Sequence, residues 1–260
     1  LKHGNDKLAL ANLNMYVGRT FSNLAERASD STRKAHHLTS AVTAFEEARK
    51  IYTLEHNQQD WTNVRVNLAQ TYLSLENWAA AIELSSEILQ AFPDDGMALR
   101  MKVAALHEGP FKFEEAFELN KKWLDRHPYD EAAQIQLAES SFTTGNFVES
   151  NRLINTFLNK TDTEVSTKSA LRVIQIGCLL ATEEGKEVAA KLEALIEEVE
   201  TQPADFRVDW TFHGTRHFIK QHTGLEANRE WLKKLFDAIE NKPRDTMVKE
   251  LKSLQARFKN

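Results

Sequence analysis

The chain has 260 residues, a formal net charge of −5 at pH 7 and hydrophobic residues at 42% of its positions. The slightly acidic balance provides no overall basic surface, which disfavours nucleic acid as the main partner, and the lack of any long apolar run predicts no membrane-spanning helix. Nine Gly and five Pro are few for this length, so the composition predicts helix through most of the chain.

The chain contains a single cysteine, Cys178, which excludes an internal disulfide and suits a reducing compartment. Its sequence neighbours Gly177 and Leu179 supply no positive charge that would activate the thiol, so we expect an inert side chain. We predict a cytoplasmic protein, although one cysteine is also compatible with the periplasm. Because the chain begins with Leu1 rather than methionine, we expect it to be a piece of a longer protein.

The first predicted helix pair has a long connection. Its two helices are indicated by two groups of residues: Val17, Gly18 and Phe21, then Ala41, Phe45 and Ala48. Roughly ten more residues separate these groups than separate the later helices, around the stretch RASDSTRKAHH. We therefore expect an enlarged first pair.

Residues 60–95 give the clearest helix pair. Residues three or four apart form a first apolar stripe: Val64, Leu68, Tyr72 and Leu75. A second stripe ends before Pro93: Trp78, Ala81, Ile82, Ser85, Ile88 and Leu89. Helices of about 14 residues are marginally stable alone in water, so each must pack on neighbours. Since Ala69 and Ala81 are small, we expect the two helices to cross closely there.

The same residue types return at intervals of about 34 residues. The matched positions in successive repeats are Leu68, Ala69, Tyr72, Ala81 and Pro93; Val103, Ala104, Phe113, Ala116 and Pro128; Leu137, Ala138, Phe147, Ser150 and Ile154; and, more weakly, Ile176, Gly177 and Ala189. This pattern resembles that of the tetratricopeptide repeat (TPR) family. The resemblance covers roughly residues 11–203.

The resemblance implies an all-α fold, an α-solenoid of stacked antiparallel helix pairs in a TPR-like superhelix with C-terminal capping helices. We predict one solenoid over residues 1–260, with repeats at about 11–56, 62–95, 97–130, 131–164 and 170–203. Residues 204–260 would form a degenerate sixth pair and a cap. About 50 residues of the first repeats, through AVTAFEEARKIYTLEHNQQDWTNVRVNLAQTYL, resemble repeats of large bacterial signalling proteins.

In TPR arrays the first helix of each pair lines a concave groove that binds protein or peptide ligands. The positions that face this groove in the family correspond here to Asn12, Met15, Arg19, Asn63, Val66, Asn67, Gln70, Met101, Lys102, Ile135, Gln136, Glu139 and Phe142. Apolar anchors and amides together fit an extended peptide or an amphipathic helix. A clamp for a C-terminal carboxylate is disfavoured, because Val66 and Met101 stand where it would need positive charge.

Chemistry-bearing motifs are few. His213 and His217 lie four residues apart on a predicted helix, one turn after Asp209, a spacing that can bind a metal ion. Gly214 follows His213 where a zinc-protease motif has glutamate, so packing is the favoured interpretation. We predict no catalytic residue, no metal site and no cofactor. The aromatic rings of three tryptophans are expected in helix packing rather than in base stacking: Trp61, Trp78 and Trp123.

We therefore expect a non-catalytic protein-interaction scaffold, the docking or sensing region of a larger bacterial protein. A protein or peptide is the expected partner, without nucleic acid or membrane. One alternative is self-association into a homo-oligomer, for which apolar residues exposed near Trp231 and Phe236 would be the motive. Another alternative is a metal-dependent site at Asp209, His213 and His217.

Overall fold

The computed structural model describes residues 2–55, 57–182, 185–240 and 242–258. Within these ranges the chain forms thirteen α-helices and three short 3-10 helices, which confirms the predicted all-α class. None of these helices combines the length and the apolar composition that a bilayer crossing requires. The helices group into two compact units, Leu1–Pro110 and Phe111–Asn260. The boundary falls inside the predicted repeat 97–130, and the single-solenoid organisation stays a prediction.

The first unit contains five helices in sequence: α1 (Lys2–Glu26), α2 (Ser31–Arg49), α3 (Gln58–Ser74), α4 (Trp78–Ala91) and α5 (Gly96–Glu108). Each helix packs against the next one, and α3 also packs against α1 and α5. This arrangement of consecutive, mutually packed helices is the solenoid-like repeat fold that the 34-residue spacing predicts.

Short polar side chains begin these helices. The carboxylate of Asp30 accepts hydrogen bonds from the backbone N–H groups of Thr32 and Arg33, and Asn57, Asn77 and Asp95 cap the next three helices in the same way. Because Asp30 caps α2, the extra residues of the first pair lengthen α1 and α2 instead of forming a loop.

The core of the first unit lies between the helix pairs. Phe45, Leu68 and Ile88 are fully buried within one apolar cluster. Ala69 and Ala81 are also fully buried, as expected for small residues where two helices cross closely.

The second unit contains eight helices: α6 (Phe113–Arg126), α7 (Glu131–Thr143), α8 (Phe147–Leu158), α9 (Val165–Ala181), α10 (Val188–Glu200), α11 (His213–Gln221), α12 (Arg229–Ile239) and α13 (Arg244–Gln255). From α6 to α10 each helix packs against its successor, as in the first unit. The short 3-10 helices are Gly185–Glu187, Thr223–Asn228 and Ala256–Phe258.

The C-terminal helices differ from the predicted sixth pair at the end of the stack. Helix α11 packs against α7, α12 packs against α9, and α13 packs against α10 and α12. An isolated parallel bridge between Val208 and Glu240 ties the segment before α11 to the end of α12. Trp231 and Phe236 are buried in this packing, so the prediction of exposed apolar residues near them is wrong.

Candidate functional site

The first unit presents a continuous surface along α1, α3 and α5, since α3 packs beside both of the others. Most of the groove residues predicted for this unit are exposed or half-buried there: Asn12, Arg19, Asn63, Val66, Asn67, Gln70 and Lys102. Polar side chains predominate in this accessible set. This set of groove residues therefore offers hydrogen-bonding groups rather than a broad apolar surface.

Two predicted groove residues lie beneath this surface. The side chains of Met15 and Met101 are buried within the core of the first unit. They support α1 and α5 from inside and do not present contact area to a ligand. Met15 and Met101 are therefore not ligand contacts as predicted, because unbranched Met side chains fill gaps between packed helices.

A pocket of about 230 Å³ opens between α1, α2 and α3 in the first unit. It is lined by Arg19, Ser22, Asn23, Ala25, Glu26, Lys34, Leu38, Asn67, Gln70, Thr71 and Ser74. Three predicted groove residues from two helices thus meet in one cavity: Arg19, Asn67 and Gln70. The pocket is the strongest candidate site in the described part of the first unit.

Helix α2 also contributes to this pocket, although the repeat spacing does not predict this contribution. Lys34 of this pocket belongs to the stretch RASDSTRKAHH, for which the repeat spacing predicts only extra length. The carboxylate of Asp30 caps the start of this helix, and a short polar residue ahead of the apolar residues Leu38, Ala41 and Phe45 is its sign in the sequence. The helix start places Lys34 beside α1 and α3.

The pocket combines positive charge with amides and hydroxyls. Arg19 and Lys34 are exposed cations, while Glu26 is an exposed carboxylate at the same pocket. The side chain of Asn67 donates a hydrogen bond of 2.6 Å to the backbone oxygen of Asn63, which holds its amide in a fixed orientation. Guanidinium and amide groups in this arrangement can bind carbonyl oxygens and carboxylates.

Asn12, nearer the start of α1, is also held in place. The phenol of Tyr52 donates a hydrogen bond of 2.6 Å to Oδ1 of Asn12. Burial of Tyr52, together with the charge of Asp60, raises the pKa of that phenol, so it remains a protonated donor at neutral pH. The amide of Asn12 is therefore oriented by the core side of the unit.

In the second unit, the C-terminal helices cover the face that was predicted to line the groove. Oε1 of Glu139 accepts a hydrogen bond of 2.8 Å from the hydroxyl of Thr215 and one of 3.3 Å from Nε1 of Trp210. The ring of Phe142 is fully buried and meets Phe218 edge-on, with centroids 5.5 Å apart. Glu139 and Phe142 therefore bind the protein's own α11 segment, which corrects their expected role as ligand contacts.

The other two groove residues predicted in the second unit are only partly accessible. Ile135 and Gln136 are both half-buried on α7, and Ile135 packs against the core cluster of this unit. Glu139 and Phe142 thus belong to an internal interface along α7, while a ligand-binding role of Ile135 and Gln136 stays a prediction.

The three residues considered for a metal site, Asp209, His213 and His217, make packing and hydrogen-bond contacts with other residues. The imidazole of His217 stacks on the ring of Phe111, with centroids 3.6 Å apart and an angle of 11° between the rings. His213 meets the same ring edge-on, and the backbone N–H of Asp209 donates to the hydroxyl of Ser166. In the described ranges, these three side chains do not form a group with metal-ligand spacing.

The thiol and the tryptophans behave largely as the sequence predicts. Cys178 is buried, and this burial raises the pKa of its thiol to about 12. Trp61 and Trp123 are buried in helix packing, and the side chain of half-buried Trp78 lies against Gly109. None of these side chains forms part of the pocket between α1, α2 and α3.

Comparison with models of known protein families finds no match for this chain, and comparison with curated proteins finds none either. The proposed function therefore rests on the residues and contacts described above.

Proposed function

We propose that the protein is a non-catalytic interaction scaffold that binds an extended, polar peptide in the first unit, along α1 and α3. The observation that carries the proposal is the meeting of Arg19, Asn67 and Gln70 in one open pocket. An extended peptide presents carbonyl and N–H groups at regular intervals, and oriented amides match both kinds of group. The TPR assignment and a bacterial, cytoplasmic setting belong to the same proposal.

The charges of the pocket favour a particular ligand. Arg19 and Lys34 supply two positive groups against the single carboxylate of Glu26. A peptide with an Asp or Glu side chain would satisfy these cations, because guanidinium–carboxylate hydrogen bonds are charge-assisted. For a shallow, polar contact of this kind we expect a dissociation constant in the micromolar range, about −8 kcal/mol.

Selection from a random twelve-residue peptide library tests the proposal directly. We expect enrichment of acidic sequences, and fluorescence anisotropy of a labelled, enriched peptide then gives its affinity. The double variant Arg19→Ala/Gln70→Ala should weaken binding at least tenfold, since both side chains are exposed and contribute to the pocket. Circular dichroism checks that this variant keeps the helical content of the native chain.

Lys122→Ala provides the matched control, because Lys122 is an exposed cation on α6 of the second unit. The control variant should bind the selected peptide with native affinity. No enrichment over the support, or peptides that bind the double variant as tightly as the native chain, would contradict the proposal.

A further inference from the structure

The outer side of α1 carries an exposed apolar stripe. Leu10, Leu13 and Leu24 retain 51%, 57% and 42% of their accessible surface, with half-buried Val17 and exposed Thr20 between them. At 100° per residue these five positions fall within one narrow sector of the helix. The opposite side of α1 carries the buried residues Ala11, Met15, Gly18 and Ala25. The stripe is therefore a separate surface from the one that packs within the unit.

The same positions are buried in the next equivalent helix. Matching Val17 and Gly18 of α1 to Leu68 and Ala69 of α3 places Leu10, Leu13 and Thr20 against three residues of α3: Trp61, Val64 and Thr71. Those residues of α3 retain only 9%, 0% and 4% of their surface. These positions are therefore buried in α3 and exposed in α1. The stripe thus consists of residues at positions that are buried by helix packing in α3.

A second copy of this chain fits the stripe. We propose that two copies associate through α1 in antiparallel orientation, with Val17 of each chain at the twofold axis. Leu10 and Leu24 each lie seven residues from Val17, so the antiparallel arrangement sets Leu10 against the partner's Leu24. An interface of this kind is self-complementary, as a twofold dimer requires.

Charge supports the antiparallel direction. Asp6 lies in line with the stripe near one end of α1, and Arg27 follows the other end. Antiparallel packing brings Asp6 near the partner's Arg27, an attractive pair. Parallel packing would place equal charges side by side at both ends, which is unfavourable.

The stripe from Leu10 to Leu24 spans about 21 Å of helix, at 1.5 Å per residue. A single helical stripe covers less than the roughly 800 Å² per partner of a standard stable interface. We therefore expect a weak dimer, with a dissociation constant on the order of tens of micromolar. The proposal is independent of peptide binding, since Arg19 and Gln70 lie outside the stripe.

Sedimentation equilibrium between 5 and 500 μM tests association. The weight-average mass should rise from 29.7 kDa toward twice that value as the concentration increases. Leu13→Glu should stay at 29.7 kDa throughout, while Val148→Glu, which changes a 76%-exposed residue of α8, should behave like the native chain. A native chain that stays at the monomer mass at 500 μM would overturn the proposal.

Disulfide trapping tests the orientation, and the buried native thiol of Cys178 does not compete. A mixture of Leu10→Cys and Leu24→Cys chains, under mild oxidation at 200 μM, should form the mixed dimer at least tenfold faster than either variant alone. Val148→Cys provides the rate of random collision. Fast self-linking of Leu10→Cys alone would indicate parallel packing and overturn the proposed antiparallel arrangement.

Discussion

The hydroxyl of Thr215 on α11 donates a hydrogen bond of 2.8 Å to Oε1 of Glu139 on α7, and both side chains are buried. Trp210 donates to the same oxygen from the segment before α11. A buried carboxylate must keep its hydrogen-bond partners, because desolvation without them is expensive. This pair therefore holds the C-terminal segment on α7.

Thr215→Val should lower the free energy of unfolding of the second unit by about 1–3 kcal/mol, since the shape is kept and one charge-assisted hydrogen bond is lost. Urea titration followed by circular dichroism measures the change, with the transitions of the two units fitted separately. Thr156→Val is the control, because its exposed hydroxyl donates to the backbone oxygen of Arg152 within its own helix. Equal stability of the two variants would show that the Thr215 hydrogen bond contributes nothing net.

Most of the fold follows from local sequence patterns. Apolar residues three or four apart specify each helix, and small residues such as Ala69 and Ala81 mark where helices cross. Capping residues such as Asp95 and Asp130 set the helix starts. These features act within one or two turns of helix, so periodicity alone predicts the pairs.

The candidate site was only partly predictable. The TPR resemblance predicts Arg19, Asn67 and Gln70 at groove-facing positions, and all three line the pocket between α1, α2 and α3. The role of Glu139 could not be predicted, because its partner Thr215 lies 76 residues away in sequence. A helical period shows that a residue shares a face with others, but it does not show which later segment covers that face.

Gly18 lies against the aromatic ring that fills the first helix pair. A methyl group on Gly18 would lie 2.5 Å from Cε1 of Phe45, which is fully buried. Glycine to alanine within a helix usually stabilises by about 0.5–1 kcal/mol, but here the clash should reverse the sign. We expect Gly18→Ala to lower the stability of the first unit by about 1–3 kcal/mol in thermal unfolding.

Combining Gly18→Ala with Phe45→Leu tests whether the clash with the Phe45 ring causes the loss of stability. The smaller side chain makes room, so the double variant should lose less stability than the two single changes added together. Additive losses would show that the ring of Phe45 is not the cause of the destabilisation, and a more stable Gly18→Ala would show that α1 and α2 accommodate the methyl group without cost.

The stack of His217 on Phe111 should make the second unit sensitive to acid. Burial lowers the pKa of His217, and the nearby charges of His213 and Lys220 lower it further. The neutral imidazole is thus preferred in the folded state, whereas the unfolded chain takes up a proton first as the pH falls through about 6.5. The contribution of His217 to stability is therefore present above pH 6.5 and is lost progressively below it.

His217→Phe keeps an aromatic ring on Phe111 and removes this titration. Urea unfolding of the second unit at pH 7.5 and 5.5 should show a smaller loss of stability in the variant than in the native chain. The same loss in both proteins would mean that His217 is not responsible for the acid sensitivity.

Cys178 should be unreactive in the native protein. Burial raises its thiol pKa to about 12, so at pH 8 only about one molecule in ten thousand carries the reactive thiolate. A colorimetric disulfide reagent at pH 8 should therefore modify almost none of the native chain in an hour and one thiol per chain in 6 M guanidinium, where burial is lost. Val148→Cys, with its exposed position on α8, should react with one equivalent under native conditions. Rapid native modification of Cys178 would show that α9 opens to solvent on that timescale, because a closed core protects the thiol.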